Sequence, residues 1–290
     1  MRKLVGKIGV SLLFLIASWG LAHADKAVND NTEETAKSQN PAIALAQAVY
    51  DRPNGRDSSA RVLMLLNDED GETRKSRILY TYGVDKGNAE RWTLMRFIKP
   101  EDVDGTGLLT RDYAGDDSDQ WLYLPALDRI RRISSKRKGG RFVGSEFFYE
   151  DLTDREVNMD LHRLVGEDKV GGIPCKLLES IPVDEDNSVY SKRVSCIYEK
   201  FMIPLRMDMY QKDKLVKRLQ ARKIKKIQGY WTIFESTMYN LKTGNSTQLA
   251  TTHIRYDQGI PDDLFSQRGL SDKSMEVGFR PDTTPSPTKE

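Results

Sequence analysis

The spacing of apolar residues changes several times along the chain, and each change marks an element. Residues 1–24 open with the cations Arg2, Lys3 and Lys7, continue through the fourteen mostly apolar residues Ile8–Leu21, and end in Ala22-His23-Ala24. That order is the pattern of a secretory signal peptide cleaved after Ala24. As a helix the apolar run would reach only about 21 Å, short of a ~30 Å hydrocarbon core, so it reads as a signal rather than an anchor. Residues 25–40 are polar and read as a disordered leader. Pro41–Tyr50 (PAIALAQAVY) reads as a short helix opened by proline, with Ile43, Ala46, Gln47 and Tyr50 on one face.

From Ser58 the period shortens to that of strands. Ala60–Leu66 and Arg74–Tyr82 flank Asp68-Glu69-Asp70-Gly71, a hairpin signal. A calcium loop fails there, because its first ligand position falls on Leu66 and its last on Arg77. Arg91–Ile98, Gly107–Tyr113, Gln120–Leu124 and Arg129–Ile133 follow as strands. Ser145–Leu152 (SEFFYEDL) breaks the pattern and reads as a short helix or structured loop, with Ser145 fitting an N-cap. Further strands are expected at Leu161–Lys169, Ile173–Val183, Tyr190–Phe201, Leu205–Gln211, Leu215–Ile227, Tyr230–Leu241 and Ser246–Asp257. Pro261–Phe265 is a final turn, and residues 271–290, ending in PDTTPSPTKE, read as a disordered tail.

Short turns join about a dozen strands, and no crossover helices lie between them. That predicts a mainly β protein: one antiparallel sheet curled into a barrel or half-barrel, forming a single domain over residues 41–270.

Charge and chemistry narrow the function. The whole chain carries a net charge of +2, and loss of residues 1–24 removes three cations, which leaves the mature chain near −1. Generic nucleic-acid binding loses its support. After cleavage only His162 and His253 remain as histidines, in separate strands and without metal-ligand spacing. No nucleophile elbow, phosphate loop or zinc-protease motif is present, and Glu150, Asp151 and Asp154 read as a solvated acidic turn. The expectation is a protein that is not an enzyme and needs no cofactor or metal. Cys175 and Cys196, in an exported chain, suggest a disulfide, with two buried thiols as the alternative. If Asp184 pairs with Asn187, the hairpin register sets Cys175 opposite Cys196.

Two features suggest binding. Large side chains recur in the strands: Trp92, Leu94 and Phe97, then Trp121 and Tyr123, then Met207 and Met209, then Trp231 and Phe234. Together with Phe147 and Phe148 they could line a cavity for an apolar ligand, or simply be core. Residues 129–141 hold seven cations in thirteen positions. Of these, Arg131, Arg132, Lys136 and Arg137 are candidates to meet a lipid headgroup or an acidic partner, against a solvated loop as the plain reading.

Residues 120–152, QWLYLPALDRIRRISSKRKGGRFVGSEFFYEDL, bring a resemblance into view. Trp121 to Pro125, the run Arg129-Ile130-Arg131-Arg132-Ile133, and Gly144-Ser145 followed by Phe148 to Leu152 resemble the outer membrane lipoprotein-sorting protein family, a relative of LolA. The similar region runs roughly from Arg61 to Leu264. The resemblance implies an incomplete barrel with a short helical lid and an N-terminal helix, a hydrophobic concave face for acyl chains, and work in the periplasm. It further implies a subgroup associated with RND- or MMPL-type inner-membrane exporters, and it transfers no catalytic residues.

Two readings follow from these expectations. In the first, the protein is a monomeric carrier that holds a lipid or lipoprotein acyl chain, with Phe147 and Phe148 in the lid. It would contact the membrane transiently and shuttle cargo between an exporter and an outer-membrane acceptor. In the second, it is a periplasmic scaffold or sensor that binds a protein partner without a lipid. A hydrolase remains a third possibility that only clustered side chains could reveal.

Overall fold

A computed structural model describes residues 40–115 and 117–282. The expected signal peptide, residues 25–39 of the leader and residues 283–290 of the tail lie outside them. Thirteen strands form one antiparallel sheet: β1 (Asp57–Asn67), β2 (Thr73–Gly87), β3 (Glu90–Lys99), β4 (Gly107–Asp112), β5 (Asp119–Leu124), β6 (Arg129–Arg132), β7 (Asp160–Val170), β8 (Ile173–Pro182), β9 (Lys192–Tyr198), β10 (Ile203–Gln211), β11 (Lys214–Ile227), β12 (Tyr230–Asn240) and β13 (Ser246–Tyr256). Their order is β6-β5-β4-β3-β2-β1-β13-β12-β11-β10-β9-β8-β7, so two meanders meet where β1 pairs with β13.

This order has a topological consequence. β6 and β7 follow each other in the chain but form opposite edges of the sheet. Residues 133–159 must therefore cross its whole width. Gln120 of β5 donates to the Tyr149 carbonyl at 3.0 Å, while the next residue, Glu150, pairs with Arg193 of β9. In a flat sheet those strands would lie nine steps, about 43 Å, apart. Consecutive residues cannot bridge that distance, so the sheet curls around the crossing segment. The expected incomplete barrel is what forms.

The crossing segment buries Phe142 and Tyr149 on the inner face, against Val62, Leu79, Phe97 and Leu108. Phe142 meets Phe97 at 5.5 Å between ring centroids and Tyr149 edge-on at 6.1 Å. Of the two expectations for Ser145–Leu152, a short helix or a structured loop, the structured loop is what forms. Phe142–Gly144 and Glu150–Leu152 are single 3-10 turns joined by a bridge between Arg141 and Phe148. Ser145 accepts from the Phe147 amide rather than capping a helix. Long-range contacts to the sheet outweigh the local helical signal.

Helix α1 (Pro41–Tyr50) is capped by Asn40, whose side chain accepts from the Ala42 amide at 2.9 Å. It buries Ala42, Leu45 and Ala46 against Leu178 and Ile197. The buried stripe is thus 42/45/46, and Gln47, expected on the packed face, is exposed. The outer face of β2–β5 is covered by the C-terminal segment, where Leu264, Phe265 and Leu270 pack on Tyr82, Leu94 and Leu109. That segment includes the short helix α2 (Gln267–Ser271) and continues to Asp282, with Glu276 fully buried. Residues 271–282 are therefore packed structure, a correction to the tail expected from residue 271. Their polar sequence hides one buried ion pair and the apolar Met275 and Phe279.

Cys175 and Cys196 form a disulfide with Cα atoms 5.3 Å apart. The register differs from expectation, because Cys196 lies opposite Leu177. A 3-10 turn at Glu185–Asn187 lengthens the hairpin end, shifts the pairing by two residues and leaves the cysteines diagonal.

Candidate ligand cavity

The crossing segment fills the inner face over β1–β5 but covers only one end of it over β7–β12, where Phe147 packs on Met209, Val216 and Met238. Over the remainder, between the sheet, α1 and residues 150–157, lies a cavity of about 460 Å³, within the range of ligand sites. Strand alternation decides its floor. Met238 stands opposite Leu219, Leu219 opposite Met207, and Met207 opposite Ser195, so one row of side chains faces inward across four strands. Met207, Met209, Leu219, Ile233 and Met238 form the apolar floor, and Ala46, Val49, Leu178 and Ile197 the wall beneath α1. Three methionines give the floor an adaptable surface.

The rim is charged, and most of it is paired. Arg193 binds Glu150, Arg155 binds Asp160 at 2.9 Å, and Arg91 binds Asp154 and, at 3.2 Å, Asp85. Arg91 also donates to the Tyr50 carbonyl at 2.9 Å and sits 4.4 Å from the Tyr50 ring, tying the end of α1 to the sheet. Burial pushes the Tyr50 hydroxyl up to about 12, with Asp154 adding to the shift. Burial likewise raises the Asp154 carboxyl, against the pull of Arg91. His162 lies between Ser180 Oγ at 3.0 Å and the Val157 carbonyl at 2.8 Å, which makes it a satisfied wall residue.

At the inner end Lys217 anchors the crossing segment. Its ammonium stands 3.0 Å from the Phe148 ring centre, donates to the Glu146 carbonyl and reaches Asp151 at 3.4 Å. Burial lowers the Lys217 pKa and raises that of Asp151, each opposed by the other's charge. Asp151 also accepts from the Tyr190 hydroxyl at 2.8 Å. The acidic turn expected to be solvated is thus a buried, paired network. No group of three or more His, Cys, Asp or Glu side chains among the described residues could hold a metal ion.

The eleven apolar candidates divide by face. Met207 and Met209 line the cavity. Phe147 packs with Tyr190, Met209 and Met238 beside it, and Phe148 stacks on Tyr190 with centroids 6.0 Å apart. Phe97 is inward but covered by Phe142. Trp92, Leu94, Trp121 and Tyr123 are corrected to the outer face, under the C-terminal segment. On β3 the inward parity belongs to Met95 and Phe97, and pairing of Leu94 with Leu109, and of Leu109 with Trp121, carries the outward parity across. Trp231 stacks on Phe201, and Phe234 lies 4.9 Å from Lys225; neither lines the cavity. Irregular pairing between β11 and β12 sets Ile233 inward instead.

Sequence reasoning missed Leu219, Ile233, Met238, Arg52 and the α1 residues. Leu219 and Met238 would have followed from the register of Met207; Arg52 left no signal.

The basic run ends the sheet. Arg132 is held by Asp119, Lys138 by Asp117 at 3.3 Å, and Arg141 by Glu146. Arg131, Lys136 and Arg137 are exposed, and Leu127, 67% exposed, caps the adjoining turn.

Comparisons with known proteins agree with this architecture. A family model described as an uncharacterized protein family matches residues 89–272. A domain from Vibrio parahaemolyticus, described as an outer membrane lipoprotein-sorting protein domain, is 33% identical, with a TM-score of 0.75 over 80% of this chain and 98% of that one. A DUF1329 family protein from Desulfovibrio piger is 31% identical, with a TM-score of 0.75 over 80% of this chain and all of its own. A LolA superfamily protein from Nitrosomonas europaea shares the fold, with a TM-score of 0.60 at 16% identity over 78% of this chain and 97% of that one. No curated protein matches the chain.

Proposed function

Because this chain belongs to the DUF1329 family and has a LolA-like open sheet, we propose that it is a lipid carrier that performs no covalent chemistry. One observation carries this reading: an apolar-floored cavity on the inner face, between α1 and β7–β12, that the crossing segment leaves unfilled. Each methylene buried there contributes roughly 0.8 kcal/mol. The paired charges of the rim would keep the mouth wetted while the floor stays apolar. Export follows from the pattern of residues 1–24, and a periplasmic site of action from the lipoprotein-sorting description of the Vibrio relative.

In this reading cargo passes between an inner-membrane exporter of the RND or MMPL type and an outer-membrane acceptor. The exposed cations Arg131, Lys136 and Arg137 are the surface that meets headgroups. Arg91, which joins the end of α1 to Asp154, is the latch whose release would widen the mouth.

The test is native mass spectrometry of protein purified from periplasm without detergent, followed by lipid extraction. A bound species of defined mass, lost when Leu219→Trp fills the floor and the fold is retained, is the expected result. An apo mass with no uptake of added lipid would overturn the proposal.

A second reading has its own observation. β7 is an open edge, and on its outer face Leu161 and Ile181 stand opposite each other, 65% and 39% exposed. An edge of this kind can accept a strand from a protein partner. A protein that purifies without lipid and crosslinks to its partner through β7 would favour the scaffold.

A further inference from the structure

Arg52 follows α1 directly and lines the cavity beside Ile233. Its Nη1 donates to the Trp231 carbonyl at 2.6 Å. The other three guanidiniums of the wall each hold a carboxylate: Arg91 on Asp85 and Asp154, Arg155 on Asp160, and Arg193 on Glu150. Among the described residues Arg52 has no such partner, and its neighbours are Tyr256 and Arg91. Burial holds its pKa below the ordinary value, with Arg91 adding to the shift and Tyr256 opposing it. A half-buried cation without a counter-ion is costly, and an arriving anion would relieve that cost. Glu156, an acid of the same wall with no cation partner among the described residues, is tied to the Gly115 amide at 2.5 Å.

The apolar floor begins where Arg52 stands. Trp231, which receives its hydrogen bond, is two residues before Ile233 on β12, and Met238 lies five residues beyond Ile233. That stretch of strand is about 16 Å long. We propose that the cavity selects an amphiphile with an anionic head, seated on the Arg52 guanidinium, with its hydrocarbon chain laid along Ile233, Leu219 and Met238. The proposal rests on the carrier reading and names its ligand class. Arg52 attracts the head by charge and by its remaining N–H donors, which a neutral head engages far less strongly. The floor contributes affinity that does not depend on the head.

The two contributions separate experimentally. The exported, delipidated protein would be titrated by calorimetry at neutral pH with dodecanoate, dodecanol and dodecyltrimethylammonium. Dodecanoate is expected to bind roughly tenfold tighter than dodecanol, and the cation more weakly than either. Arg52→Gln, which keeps a donor for the Trp231 carbonyl, should abolish that preference by lowering dodecanoate affinity to about that of dodecanol, while Arg52→Lys should retain much of it. Equal binding of dodecanoate and dodecanol, tighter binding of the cation, or a preference that survives Arg52→Gln would overturn the role of Arg52 and leave the carrier reading standing. Failure of all three probes to bind would overturn both.

Discussion

Arg96 Nε donates to Glu276 Oε2 at 2.7 Å across 180 residues of sequence, and both side chains are sealed from solvent. The remaining Arg96 donors go to the carbonyls of Gly105, Gly269 and Leu270. This one guanidinium thus fastens the C-terminal segment to the outer face of β3. Removing one partner of such a pair leaves an uncompensated buried charge, which costs about 3–5 kcal/mol. Glu276→Ala is expected to lower stability by that amount, read as a shift of the urea midpoint. Lipid uptake should persist under native conditions, because the cavity lies on the opposite face. A shift below about 1 kcal/mol would show that the segment is not clamped there.

The disulfide closes a loop with 21 residues of sequence separation between the cysteines. The chain-entropy model gives about 3 kcal/mol for a loop of this size. The double variant Cys175→Ser/Cys196→Ser should lose that much in guanidinium unfolding, and reductant should have the same effect on the wild type and none on the variant. Equal stability of the oxidised and reduced wild type would contradict it. Because the β8–β9 hairpin forms part of the cavity wall through Leu178 and Ile197, the variant should also release ligand at lower denaturant concentration.

Strand positions were legible because apolar alternation, turn residues and strand length all agreed. Tyr230–Leu241 was expected and β12 is Tyr230–Asn240. What sequence could not supply was parity. Trp92 and Trp121 look like natural cavity residues, yet they share the outer face with Leu94, and only the pairing across β3, β4 and β5 determines which face that is. The crossing segment was illegible for another reason. SEFFYEDL satisfies local helix rules, but its polar groups are claimed by distant partners: the Glu146 amide donates to Thr247 and its carbonyl accepts from Lys217, while the Glu146 carboxylate accepts from Asn240 and the Glu150 carboxylate from Arg193 and the Val189 amide. Arg52 could be noticed only once its neighbours were seen to carry partners that it lacks.

Asp112 supplies a pH test. Burial pushes its carboxyl from 3.8 up to about 7; the Ser118 hydroxyl opposes the shift and Asp154 adds to it. An acid whose folded pKa exceeds its unfolded value binds more protons folded than unfolded between the two. Stability therefore falls as pH rises from about 4 to about 7, and the loss is complete above that window. Asp112→Asn removes this dependence. It should match the wild type near pH 4 and exceed it by about 4 kcal/mol near pH 8. Thermal melts across that range check it. A variant less stable than wild type at pH 8 would mean that the carboxylate is satisfied by its hydrogen bonds when charged.

The basic end of the sheet gives the last test, because it separates membrane docking from ligand binding. Arg131 and Arg137 are exposed, and no cavity wall includes them. Each cation near an anionic surface contributes about 1 kcal/mol at physiological ionic strength. The double variant Arg131→Gln/Arg137→Gln should therefore partition onto phosphatidylglycerol vesicles roughly thirtyfold more weakly. Its uptake of dodecanoate in the absence of vesicles should not change. Raising the salt should weaken the wild type more than the variant, since fewer charges remain to be screened. Leu127→Ala, at the exposed turn between β5 and β6, should add a smaller, salt-independent loss if that side chain enters the interface. Equal binding to anionic and zwitterionic vesicles, or full retention of vesicle binding by the double variant, would remove this edge from the docking surface and leave the cavity argument untouched.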